Sequence, residues 1–250
     1  DGEAGARLGG DLATVLGAAL VSMPVFALVH RGRRDADAER KGSSFLMGVG
    51  DFLVHWFMWA ISPVERGLLR LGASPDHMNA AGLTFGLASG VLIGLGRLEA
   101  GGWAIALAGV CDILDGRLAR AQKVASPYGK FIDSTLDRFV ETFAFLGFAV
   151  YFAGRPWGPL VVAAGLGGSL LVSYAQARGE TVGVSGSGGL MQRAERLVLQ
   201  ILGCLFDPLV CGWLGRPEGT VLFWVLVVMA LGALATAVHR TVFIARRLRG

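Results

Sequence analysis

The stretch Cys111–Glu141, CDILDGRLARAQKVASPYGKFIDSTLDRFVE, places four aspartates, Asp112, Asp115, Asp133 and Asp137, inside a chain that otherwise reads as membrane-embedded. Asp112 and Asp115 are three residues apart and Asp133 and Asp137 four apart, so each pair lies on one face of its helix. The connection RAQKVASPYG is short, which makes the two helices antiparallel neighbours with all four acids converging at their facing ends. An ionisable group at membrane depth costs about 2.5 kcal/mol or more. Four acids together repel unless protonated, paired or neutralised by metal.

The surrounding chain sets that environment. Of its 250 residues, 53% are hydrophobic and 17% charged, and the mean hydropathy is +0.56. That balance excludes an ordinary soluble domain and predicts an all-α polytopic membrane protein. Apolar runs of about 20 residues, enough to cross a bilayer, fall at 11–30, 77–98, 101–122, 130–153, 157–178, 191–214 and 218–240. We expect two parts. Residues 1–50 form a transmembrane anchor and a charged cytoplasmic linker, and residues 51–250 form an interfacial helix broken at Pro63 followed by six spans.

The first run has its basic cluster, RGRR, behind it rather than ahead, which indicates an anchor with its C-terminal end in the cytoplasm rather than a signal peptide. The loops at 117–130, 178–196 and 240–249 are basic and the alternate ones are nearly uncharged. The net charge of +4 therefore reflects the positive-inside bias and anionic lipid, not nucleic acid. Cys111, Cys204 and Cys211 form no CxxC pair and read as small buried apolar residues. Gly82, Gly86, Gly90 and Gly94 recur at every fourth position, a face along which another helix of the same subunit can pack closely.

Four converging carboxylates suit one or two hard divalent cations, Mg²⁺ or Mn²⁺, which prefer oxygen ligands. Such sites clamp phosphate oxygens during phosphoryl-type transfer. Gly116 and Gly129 leave room for a ligand against the backbone, and Arg120 is placed to meet a phosphate. Two other readings stand beside this one. Arg117, Arg120, Lys123, Lys130 and Arg138 could turn the acids into a structural ion-pair cluster, or the acids could line a cation or proton path in a transporter.

The same residues resemble the signature of the CDP-alcohol phosphotransferase family, D-x2-D-G-x2-A-R-x8-G-x3-D-x3-D. All eight fixed positions match: Asp112, Asp115, Gly116, Ala119, Arg120, Gly129, Asp133 and Asp137. The resemblance implies a six-helix core preceded by an interfacial helix. It also implies transfer of a phosphatidyl group from a CDP-linked lipid to the hydroxyl of a polar alcohol, with release of CMP. By it, Asp112, Asp115, Asp133 and Asp137 hold two divalent cations, with Asp137 also the candidate general base. Asp112, Gly116, Ala119, Arg120 and Gly129 cradle the cytidine diphosphate. A homodimer in a bacterial or archaeal cytoplasmic membrane, its active site facing the cytoplasm, is expected on the same ground.

The acceptor is read from two later segments, SYAQARGE at 173–180 and LMQRAERLVL at 190–199. Arg178, Arg193 and Arg196 lie at the cytoplasmic ends of successive spans and make an anion pocket beside the acids. Both segments resemble the phosphatidylinositol phosphate synthase branch, where such arginines hold the phosphate of inositol phosphate, and Arg240 is the matching basic residue on the last helix. Gln176 stands where that branch carries Lys, and Asn79 where Thr is common. Glycerol 3-phosphate, serine or another polar alcohol is the alternative acceptor.

Overall fold

The structure, a computed structural model, describes residues 22–24, 26, 49–184, 188–189 and 191–249. Among these, all regular secondary structure is helical. The chain divides into two compact units, Asp1–Ala73 and Ser74–Gly250. The anchor expected at 11–30 and the linker at 31–50 fall largely outside the described residues.

In the first unit, α1 spans Val49–Arg70 and runs through Pro63 instead of breaking there. A proline cannot donate to the carbonyl four residues back, here that of Trp59. The Ser62 hydroxyl donates to that carbonyl at 2.8 Å instead, so the turn keeps its bond. Trp56 Nε1 donates to Ser22 Oγ at 3.1 Å, and Phe26 packs against Phe52 and Trp59.

Among the described residues, the second unit holds six helices: α2 (Pro75–Gly94), α3 (Leu98–Ala121), α4 (Pro127–Tyr151), α5 (Gly158–Thr181), α6 (Arg193–Leu214) and α7 (Thr220–Arg249). Local chemistry sets the starts of α2 and α4. Ser74 caps α2 ahead of Pro75, with the His77 side chain returning to the cap backbone. Ser126 caps α4 ahead of Pro127, accepting from Gly129 N at 3.1 Å. Both pairs follow the rule that Ser suits the cap and Pro the first turn.

The packing departs from the expected hairpin. The helices α3 and α4 touch only sparingly, because α2 lies against both of them. The glycine stripe makes this possible. A Cβ on Gly86 would stand 2.8 Å from a Val140 methyl, and one on Gly90 would meet the Phe143 carbonyl of α4, while Gly82 faces Cys111 of α3. Close approach of this kind needs residues without side chains. Similarly, α7 packs on both α5 and α6. The helix α3 meets α6 through Gly102, whose Cβ would lie 2.9 Å from that of Cys204, and through Gly109 against Leu197. A buried cluster of Ile93, Ile105, Phe145, Phe148, Leu222, Leu226 and Met229 ties these helices together.

By length and composition α5, α6 and α7 can each cross a membrane. Helices α2, α3 and α4, of 20, 24 and 25 residues, have the length, at about 1.5 Å per residue. The acids and arginines of the central stretch make α3 and α4 less apolar. Leu87 and Val91 on α2, Leu95 just past its end, and Phe139, Leu146 and Val150 on α4 are exposed. Water would not tolerate so continuous an apolar belt, whereas hydrocarbon solvates it. The chain is an integral membrane protein.

Candidate active site

Helix α3 presents Asp112 and Asp115 about two turns before its C-terminal end, and α4 presents Asp133 and Asp137 after its capped start. Oxygens of Asp112, Asp133 and Asp137 lie within 4.8 Å of one another. That spacing and donor type fit a hard divalent cation, which takes carboxylate oxygens at about 2.0–2.6 Å. Asp115 stands slightly apart. It is buried and lines the same small cavity as the other three acids, together with Asn79 and Arg193.

A larger cavity of about 380 Å³ opens beside this cluster, lined by Asp115, Gly116, Ala119, Arg120, Gly129 and Asp133. Its volume falls in the range of roughly 300–1,000 Å³ typical of small-molecule sites. Five residues of the signature thus share one wall system with Asp133. Asp76, Asn79, Ser126, Tyr128 and Lys130 also line it, a neighbourhood that spacing alone does not reveal. The capping turn of α4 shapes this wall, since Ser126 Oγ fixes the backbone N–H of Gly129.

The four arginines expected in one anion pocket have different surroundings. Arg193 enters the acid cluster itself: Nη1 donates to Asp112 Oδ2 at 2.9 Å, and Nη2 donates to Asp137 Oδ1. Arg138 Nη1 lies 3.6 Å from the other oxygen of Asp137. Arg196, one turn beyond Arg193, is fully buried. Its Nε and Nη2 donate to the two oxygens of Glu141 at 2.9 and 3.3 Å, and Nη1 donates to the Met191 carbonyl at 3.2 Å. Glu141 lies on α4 one turn after Asp137 and escaped notice because it is outside the signature. Its signal was the matched spacing, acids at 137 and 141 against arginines at 193 and 196.

Arg240 is buried on α7 and donates to Gln176 Oε1 at 2.8 Å and to the Val172 carbonyl at 3.1 Å. Gln176 therefore serves as an acceptor for Arg240, a role closed to a lysine. Met191 N donates to Thr236 Oγ1 at 3.1 Å, so α6 and α7 both hold the chain leading into Arg193. Arg178, at the end of α5, is exposed.

Comparison with known proteins gives the same frame. Residues 74–231, more than half of the chain, match the family model described as CDP-alcohol phosphatidyltransferase. The phosphatidylinositol phosphate synthase of Streptomyces avermitilis is 35% identical over 198 residues, covering 76% of this chain and 80% of that protein. The archaetidylinositol phosphate synthase of Methanothermobacter thermautotrophicus is 30% identical, covering 72% and 87%. Crystal structures of the Mycobacterium tuberculosis phosphatidylinositol phosphate synthase superpose on the chain as well. The one with CDP-DAG bound has a TM-score of 0.63 at 30% identity, covering 73% of this chain and 92% of that one. The one in complex with manganese and citrate has a TM-score of 0.65 at 29% identity, covering 73% and 88%. By its matched residues, its helical core and its relatives, the chain belongs to the CDP-alcohol phosphatidyltransferase family.

Proposed function

We propose that this chain transfers the phosphatidyl group of CDP-diacylglycerol to inositol phosphate, releasing CMP. The convergence of Asp112, Asp133 and Asp137 next to a cavity lined by Gly116, Ala119, Arg120 and Gly129 is the observation that carries this reading. Relatives named for inositol phosphate lipids support the choice of acceptor.

Asp112, Asp133 and Asp137 are the ligands for divalent cations, with Asp115 the further carboxylate of a two-ion site. When bound, Mg²⁺ or Mn²⁺ supplies a positive clamp for the pyrophosphate oxygens. Gly116, Ala119 and Gly129 let the cytidine diphosphate approach the backbone, and Arg120 meets its phosphate. Asp137 takes the proton from the acceptor hydroxyl. The hydroxyl oxygen then bonds to the phosphorus carrying the diacylglycerol, the bond from that phosphorus to the bridging pyrophosphate oxygen breaks, and CMP leaves with the electron pair. General-base help of this kind contributes about 10²–10⁴ in rate. Arg178, Arg193, Arg196 and Arg240 form the basic side from which the acceptor phosphate is recognised, Arg196 and Arg240 by holding their surroundings in place. We place this site on the cytoplasmic face, in a homodimer, with 51–250 as the catalytic domain and 1–50 as anchor and linker.

The test is an acceptor panel. Purified protein with CDP-diacylglycerol and Mn²⁺ should release CMP when inositol phosphate is present, and a chelator should abolish it. CMP release with glycerol 3-phosphate or serine but not inositol phosphate would reassign the acceptor. No CMP with any acceptor, with cation flux in liposomes, would point to a transporter instead.

A further inference from the structure

We infer that Arg193 is an internal competitor for the divalent cation, and that its guanidinium must leave Asp112 and Asp137 before an ion can take both carboxylates. The inference rests on the assignment of these acids as metal ligands. The geometry supplies the rest. One nitrogen of the Arg193 fork donates to Asp112 Oδ2 at 2.9 Å and another to Asp137 Oδ1. The two acids come from different helices, and the fork bridges one oxygen of each at the cluster of carboxylates an ion would use. A planar guanidinium suits such a bridge, and it carries one positive charge where a cation would bring two.

The neighbouring arginine shows that the arrangement is selective. Arg196 is fully buried and held by Glu141 and the Met191 carbonyl, which leaves it no route outward. The Arg193 side chain is 32% exposed, and its long stem can carry the head toward solvent while the helix stays in place. One rung between α4 and α6 is fixed and the other exchangeable. The charge of the acids is thereby partly offset before the ion loads, and the ion binds more weakly than the carboxylates without Arg193 would allow.

The experiment uses the full chain in detergent, stripped with chelator and titrated with Mn²⁺, with bound ion read by electron paramagnetic resonance. Arg193→Gln should bind Mn²⁺ tighter by on the order of tenfold, because the ion no longer displaces two charged hydrogen bonds. Its melting temperature in chelator should fall below the parent's, and its rise on adding Mn²⁺ should be larger. Arg138→Gln removes a charge 3.6 Å from Asp137 without vacating Asp112, and no hydrogen bond to the cluster is lost, so it should tighten binding by only about threefold or less. Equal tightening in both variants, or none in Arg193→Gln, overturns the inference. If Arg193→Gln does not fold, Arg193→Lys keeps the charge but loses the fork, and unchanged Mn²⁺ affinity there overturns it equally. Asp133→Asn separates the two levels: its loss of Mn²⁺ binding supports the ligand assignment, and its retention removes the assignment and the inference with it.

Discussion

Arg196 on α6 and Glu141 on α4 form a two-pronged ion pair, 2.9 Å at Nε and 3.3 Å at Nη2, with the arginine side chain wholly out of solvent. The pair lies one turn from the acid cluster and fixes the register of α6 against α4, so the position of Arg193 depends on it.

Removing one partner leaves a buried charge alone. Glu141→Ala should destabilise the folded protein by about 3–5 kcal/mol, seen as a lowered unfolding temperature in detergent. Replacing both partners, Glu141→Leu with Arg196→Met, should recover most of that loss, because an apolar pair of similar size has no charge to desolvate. A double variant as unstable as the single one would mean that Arg196 matters for the Met191 loop rather than for Glu141.

Asp137→Asn retains the shape of the side chain but cannot take a proton. CMP release should fall by about 10²–10⁴, while binding of CDP-diacylglycerol, measured by calorimetry, persists. Equal loss of binding and turnover would make Asp137 chiefly a ligand.

The α2 stripe allows a clean contrast between glycines. Gly86→Leu drives a side chain into Val140 of α4 and should cost about 1–3 kcal/mol, the usual penalty of overpacking. Gly167 on α5 has open space where its Cβ would stand. Gly167→Ala should therefore be neutral, or stabilise by up to about 1 kcal/mol through helix propensity. Unfolding temperatures of the two variants decide this.

Asp207, fully buried on α6, caps the start of α7: Oδ2 accepts from Gly219 N at 2.6 Å and Oδ1 from Leu222 N at 2.8 Å. Arg155 joins the same corner, donating to the Gly219 carbonyl at 3.1 Å and stacking on Phe223. Asp207→Ala strands two backbone donors and should cost about 2 kcal/mol or more. Asp207→Asn keeps one acceptor oxygen and should cost less. Identical melting temperatures for the two would remove the capping role.

The donor half of the site was legible because its chemistry is local. Asp112 to Arg120 and Gly129 to Asp137 sit on two helices joined by one short turn, and helical spacing alone puts the acids on common faces. The acceptor half was not. Spacing puts Arg193 and Arg196 on one face of α6, but which acids stand opposite depends on how α6 lies against α3 and α4. Glu141 went unnoticed for the same reason, since an acid four residues past Asp137 acquires meaning only when Arg196 is seen to meet it. Pro63 breaks its helix by sequence, and a hydroxyl one residue earlier keeps it whole in the structure.

By itself, the sequence determined the helical membrane character, through composition, and the two facing pairs of acids, through periodicity within two helices. The signature residues and their cation chemistry came from the family resemblance those acids carry. The tertiary structure alone decided that α2 lies between α3 and α4, that Arg193 belongs to the acid cluster, and that Arg196 and Arg240 are held by Glu141 and Gln176. The arginine contacts join residues some 55 to 81 positions apart. They are set by which small residues let which helices approach, and no local pattern encodes that choice.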